Sequence, residues 1–382
     1  MHQSCMKVRV ANTGNKCRFG LAFAAGLLAA IGAPVQAQDK PVIGVSAPMS
    51  GYFEILGEQV EAGAQTALGD RTDIALVVAD DACSPEGGAR SAEALIAAKA
   101  VLVIGFPCIE AFDAAMPKLA EAGIPVILLG VQAEGLSEVR SEKGWPSVRL
   151  APRNQDEAEA LATYLRSAWR TVNFALIDDG TLYGRQFAET VRFLLEEFNL
   201  KPVFADTYRP QLENQMALVR RLQKAGATHV VIGGDAFDAA VIGKNADTAG
   251  VKLTLAGGSA LIAPPSGDVL PEGTILVALP DWLEREPARE LAESLPDNVI
   301  VDDGYFVPAH AAARIALTAI EQLDESGRVP LGALTGKTFD TALGPVRFGE
   351  DGDLTRNLFE IFVVEDGRPV PASPSGNTGA IR

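Results

Sequence analysis

From residue 40 onward, short apolar runs alternate with longer stretches whose apolar positions recur every three or four residues. The runs at 42–46, 74–79, 101–105 and 125–129 predict strands, because each is short, apolar and closed by turn residues. Residues 57–68, 86–99 and 110–122 carry the helical period between them. Gly105, Gly123 and Gly130 stand at the joins, where loops and helix ends favour glycine. A second series opens after residues 149–153: helix 156–169, strand 172–177, helix 184–198, strand 202–207, helix 213–225, strand 229–232, helix 236–249 and strand 252–256. This alternation implies parallel strands joined by crossover helices. The expected fold is therefore α/β, with two similar lobes and no exact sequence repeat between them.

The remainder is too short for a third lobe. It offers a strand at 275–278, a long amphipathic helix at 304–323, and strands at 346–348 and 359–364 that read as a closing hairpin around Gly349-Glu350-Asp351-Gly352. These pieces complete both lobes if the chain crosses back and forth, and several crossings make a hinge. The expected limits are 38–152 plus 280–356 for lobe 1 and 153–279 plus 357–370 for lobe 2. The Pro/Ser/Gly-rich end from residue 368 reads as frayed, with 371–382 a flexible tail.

Ahead of these series, Lys7, Arg9, Lys16 and Arg18 form a positive segment with no acid, followed by an apolar, Ala/Leu-rich run from Phe19 to Ile31. Val35-Gln36-Ala37 then supplies a small-residue cleavage pattern, so residues 1–37 read as a signal peptide cut after Ala37. The apolar run is about 13 residues, too short to span a bilayer comfortably. No Leu-x-x-Cys precedes the cut, which argues against a lipid anchor. A start at Met6 leaves the leader intact. The expected location is the periplasm.

Charge and cysteines sharpen this reading. The full chain of 382 residues has 33 Lys/Arg and 49 Asp/Glu. Removing the leader takes away four Lys/Arg and no acid, leaving 29 against 49 and a charge of −20. Such a surface excludes a general nucleic-acid binder and disfavours docking on anionic lipid. Cys5 and Cys17 leave with the leader, so Cys83 and Cys108 remain, each just after a predicted strand. In an oxidising compartment the pair reads as a disulfide. Closing a loop of about 26 residues contributes roughly 3–4 kcal/mol on the chain-entropy account. A metal site is the weaker alternative, because two thiols with His229 and His310 far along the chain give too few ligands.

Familiar catalytic patterns do not occur: the chain has no Walker A loop, no Gly-x-Ser-x-Gly elbow and no His-Glu-x-x-His. His229 falls inside a strand pattern and His310 inside a helix, as core histidines do. Gly233-Gly234-Asp235 lacks the third glycine of a dinucleotide fingerprint. Asp80-Asp81 and Asp178-Asp179 sit where acids cap turns and helices. No cofactor or metal is expected.

The segment Val42-Ile43-Gly44-Val45-Ser46-Ala47-Pro48-Met49-Ser50-Gly51 resembles the opening of the type I periplasmic solute-binding proteins, in the branched-chain (leucine/isoleucine/valine) amino-acid group. Asp80-Asp81-Ala82-Cys83, Cys108 after a Val-Ile-Gly strand at the spacing of that family's disulfide, Tyr183-Gly184, and Leu343-Gly344-Pro345-Val346-Arg347-Phe348 extend the likeness over nearly the whole chain. The resemblance implies two lobes joined by three crossovers. It also implies a small-molecule solute held between them and delivered to an ABC permease and its ATPase subunits at the inner membrane. A monomer is expected.

The candidate solute contacts are Ser50, Tyr52, Glu54, Glu110, Gln132, Tyr183, Asp235 and Ser259, of which the resemblance points to Glu110, Gln132, Tyr183, Asp235 and Ser259. Several depart from the family pattern. Where the family places hydroxyls at a helix start after the second cysteine, this chain has Cys108-Ile109-Glu110-Ala111. A carboxylate there already answers the helix dipole and repels an incoming anion. Gln132 replaces a Thr, Ser259 an acid, and Asp235 an aromatic residue. The expectation is a solute other than an ordinary branched-chain amino acid: neutral, cationic, or aromatic given Tyr52, Phe53 and Phe106. Glu54, Glu110 and Asp235 would then serve as acceptors or countercharges. Two further functions compete: a ligand sensor that reports to a membrane receptor, and an exported hydrolase, for which no nucleophile–base pair is visible.

Overall fold

Runs of β-branched and aliphatic residues seed the strands because parallel strands are covered on both faces. In the computed structural model, β3 (Ala100–Gly105) shows this most fully, with every residue buried. The structure describes residues 40–262, 269–296, 301 and 304–372. The leader, its cut after Ala37 and the chain beyond residue 372 lie outside the described residues.

Five parallel strands make the first sheet: β1 (Val42–Ala47), β2 (Ala75–Asp80), β3, β4 (Val126–Leu128) and β5 (Ser147–Arg149), in the order β2-β1-β3-β4-β5. They are linked by α1 (Glu54–Leu68), α2 (Pro85–Ala97), α3 (Ile109–Glu121) and α4 (Leu136–Lys143). The second series runs α5 (Asn154–Ala168), β6 (Phe174–Asp178), α6 (Leu182–Glu196), β7 (Phe204–Thr207), α7 (Met216–Lys224), β8 (His229–Gly233), α8 (Ala236–Thr248), β9 (Thr254–Gly257) and β10 (Ile275–Ala278). After α9 (Ala288–Glu293) and α10 (Phe306–Ala319) come β11 (Thr338–Thr341), β12 (Gly344–Arg347), β13 (Glu360–Glu365) and β14 (Arg368–Pro371). The second sheet is ordered β14-β13-β10-β9-β8-β6-β7. Its parallel part, β7-β6-β8-β9-β10, repeats the strand order of the first sheet, so the likeness between halves lies in topology.

Both faces of each sheet are covered. α1 and α10 pack on one face of the first sheet through Val60, Ala64, Phe306 and Ala309, and α2 and α3 cover the other through Leu95, Phe112 and Met116. In the second, α7 and α8 lie on one face and α5 and α6 on the other. Helix α6 starts directly against the end of β8. A Cβ on Gly233 would lie 2.0 Å from the Gly184 carbonyl oxygen, so only glycine permits that approach.

The chain passes between the sheets three times: from β5 into α5, after β10, and between β12 and β13. Polar contacts fasten these passages. Arg149 at the end of β5 is 1% exposed and grips Asp353 with two hydrogen bonds of 2.9 Å each, while its Nη1 donates to the Ala133 carbonyl at 2.6 Å. Asn357 donates to the Asp156 carbonyl at 2.6 Å, and Arg285 forms a two-point pair with Glu360. Cys83 and Cys108 form a disulfide, with Cα atoms 5.3 Å apart, joining the loops that follow β2 and β3.

Two expectations are overturned. Residues 346–348 and 359–364 do not pair with each other. β12 pairs with β11 in a separate two-stranded sheet, whereas β13 runs antiparallel to β10 in the second sheet. The Gly349–Asp353 turn is real, with the Gly349 amide donating to the Asp353 carbonyl at 2.9 Å, but it precedes a passage rather than closing a hairpin. The end from residue 368 is also not frayed throughout, since Arg368–Pro371 forms β14 on β13. Both its prolines are accommodated because it is an edge strand.

Candidate functional site

In parallel sheets, loops at the strands' carboxyl ends and the helix starts that follow them collect the groups able to bind a ligand. A cavity of about 1350 Å³ opens on loops from both sheets. The first sheet and its covering segments contribute Leu129, Gln132 and Glu134 after β4, with Trp282, Tyr305 and Pro308. The second contributes Gln155 and Glu157 from α5, Tyr183 and Phe187 from α6, and Ser259 after β9. Leu358 and Phe359, leading into β13, line it as well.

One wall has a defined polar centre. Glu157 is 5% exposed although it is charged and lies on the apolar side of α5, beside Ala158 and Leu161. Its Oε1 accepts from the Tyr183 hydroxyl at 3.1 Å and from the Ser259 amide. Its Oε2 accepts no hydrogen bond, and no Lys or Arg pairs with it, among the described residues. Burial, followed by the nearby Glu157 charge, drives the Tyr183 hydroxyl well above the usual phenol range, so it is held as a donor. The Tyr183 ring stacks on Phe187, with centroids 5.9 Å apart. Gly258 makes the cluster possible, since a Cβ there would lie 2.2 Å from the Tyr183 hydroxyl and 2.7 Å from Glu157 Oε1.

The charged residues lining the cavity are Glu134, Glu157, Glu189 and Asp281, with no Lys, Arg or His among the described lining. Glu134 is raised above its ordinary value by burial, partly offset by the Gln155 amide that donates to it. Burial also raises the Tyr305 hydroxyl.

Of the residues expected at the site, Gln132, Tyr183 and Ser259 line this cavity. The other five are placed elsewhere. Ser50 is exposed and donates to Asp80 Oδ2 at 2.5 Å. Burial alone would raise Asp80, but donations from Ser50 and the Ala82 and Met49 amides outweigh it and hold Asp80 low. Tyr52 is 92% exposed, stacked edge-on against Phe53. Glu54 and Glu110 are exposed in the first turns of α1 and α3. Asp235 caps α8, accepting from the Asp238 amide at 2.9 Å and from Gln211 Nε2 at 2.8 Å. Phe106, expected as an aromatic contact, is fully buried against Phe112.

Glu157 and Tyr305 were not anticipated. The one signal for Glu157 was an acid one helical turn ahead of Leu161 and two ahead of Leu165, on a stripe that should be apolar throughout. Tyr305 carried no such signal.

Two α/β halves of matching strand order, three chain passages and a cavity between the sheets define a two-part binding protein. The sequence profile of a family described as "Periplasmic binding protein" matches residues 41–368, and the chain belongs to that family. It is similar to the Leu/Ile/Val-binding protein homolog 3 of Brucella melitensis, 26% identical over 359 residues, 90% of this chain and 96% of that protein. Among solved structures, it resembles a putative branched-chain amino acid ABC transporter from Rhodospirillum rubrum, with TM-score 0.73, 16% identity, and coverage of 87% of this chain and 99% of that one. A solute-binding protein from R. palustris, solved with 4-hydroxybenzoate, aligns with TM-score 0.61 and 17% identity over 88% of this chain and 96% of that one.

Proposed function

We propose that this chain is the periplasmic solute-binding subunit of an ABC importer, made with a leader that is cut after Ala37. Residues 38–152 plus 280–356 and residues 153–279 plus 357–370 act as two lobes that close on one small solute. The closed monomer then delivers the solute to a permease and its ATPase subunits, without catalysis. The observation that carries this reading is the cavity itself, walled from both sheets and centred on Glu157, Tyr183 and Ser259. A solute touching both walls favours the closed arrangement by its differential affinity for it.

The test is a thermal-shift screen of the purified protein over small amino acids, amines, aromatic acids and sugars. Small-angle scattering is then repeated with each compound that stabilises. A ligand at about 100 times its Kd adds about 2.7 kcal/mol. For a folded unit of about 340 residues that is about 4 °C in Tm. At least one compound is expected to give such a shift together with a smaller radius of gyration. An unchanged radius with every stabilising compound, or no stabilising compound at all, overturns the proposal.

A further inference from the structure

The cavity contains an acceptor and a charge that the protein itself leaves unanswered. Glu157 is 95% removed from solvent by its 5% exposure, yet only Oε1 is engaged, by the Tyr183 hydroxyl and the Ser259 amide. Those donors and the first turn of α5 ease the burial without cancelling the charge. Oε2 has no partner among the described residues, and the side chain lines the cavity. The other charged lining residues, Glu134, Glu189 and Asp281, have the same sign. The sequence at 263–268 and 297–303 also contains no Lys, Arg or His. Aromatic surface is close by: Tyr183, Phe187, Trp282, Tyr305 and Phe359 all line the same space. A carboxylate ligand would meet four acids here and no cation. An ammonium group would find a countercharge on a largely buried side chain, its free oxygen reachable from the cavity, and aromatic faces that attract cations.

We infer that the solute is an organic cation with an apolar or aromatic body and no free carboxylate, its ammonium group bound by Glu157 Oε2. This deepens the solute-binding reading and rests on it. Glu157 thereby takes the countercharge role that the sequence suggested for Glu54, Glu110 and Asp235.

Matched probes separate charge from shape. Isopentylamine and leucine share a side chain but differ by the carboxylate, and tyramine and 4-hydroxybenzoate share a phenol ring but carry opposite charge. Thermal shift and calorimetry on the intact protein should show stabilisation by at least one of the two amines and none by the two acids. Glu157→Gln, which keeps the shape and one acceptor, should weaken the amine at least tenfold, whereas Tyr183→Phe should weaken it less. Circular dichroism and the unliganded Tm establish that each variant is folded. If Glu157→Gln does not fold, Glu134→Gln and Asp281→Asn, which reduce the same field, must together weaken the amine several-fold.

Stabilisation by leucine or 4-hydroxybenzoate with no response to amines overturns the cation assignment and leaves the solute-binding reading standing. Equal amine affinity in wild type and Glu157→Gln also overturns it. Silence from both amines overturns the assignment alone if other compounds in the screen still close the lobes. Silence from every compound overturns both readings.

Discussion

The grip of Arg149 on Asp353 joins the strand before the first passage to the loop before the third. Replacing Asp353 by Asn keeps the volume but removes the charge opposite an arginine that is 1% exposed. Two charge-assisted hydrogen bonds of 2.9 Å are weakened, and Ser137, which donates to Asp353 Oδ2, loses its anionic acceptor. Breaking a buried pair from one side typically costs about 3–5 kcal/mol, because the remaining charge is stranded. With about 2.1 cal/mol/K of unfolding entropy per residue, a unit of about 340 residues loses about 1.4 °C per kcal/mol, so Tm should fall by about 4–7 °C. Arg149→Met should cost a similar amount, with an added loss from the bond to the Ala133 carbonyl. The double variant Arg149→Met/Asp353→Asn strands no charge and should cost clearly less than the sum of the single changes. Calorimetry of the four proteins completes the cycle. Single changes that add without coupling, or that each shift Tm by less than 1 °C, refute the reasoning.

Two further outcomes follow from separate features. Replacing Cys83 and Cys108 by Ser, across a separation of 25 residues, should lower stability by about 3–4 kcal/mol, or about 4–6 °C, and reductant should reproduce the loss in the wild type alone. Burial, with Asp235 and Asp179 beside it, pushes Asp238 up to about 6, so its ionisation is easier in the unfolded chain. Stability is therefore lost as pH rises from the ordinary carboxylate range through 6. Asp238→Asn should raise Tm relative to wild type at pH 8 more than at pH 4, and an equal difference at both pH values would sink this account.

Sequence pattern revealed the fold wherever burial dominated. The run at 101–105 is covered on both faces, and composition alone marks such a strand. It failed where a strand is short or specified by a distant partner. Ser147–Arg149 ends in an arginine and looks like loop until Asp353, 204 residues later, supplies the countercharge. β11 carries polar residues at alternate positions, and β14 holds two prolines. The glycine-rich turn at 349–352 is a sound local reading, but which strand the following segment joins is settled by β10, whose open edge accepts β13. Gln132, Tyr183 and Ser259, named from the family resemblance, line the cavity. A buried acid on a helix has no local signature stronger than one misplaced charge, so Glu157 emerged only when Tyr183 and the Ser259 amide were brought against it.

The core of the first half is not completed by the first half of the chain. Phe306, Ala309 and Ala313 of α10 fill the layer beneath α1, and the second sheet takes its last two strands from residues 360–371. Neither half can finish its interior until the carboxyl-terminal third of the polypeptide is present. An incomplete chain therefore leaves apolar surface of both interiors uncovered, so completion of the two halves is tied to one late segment.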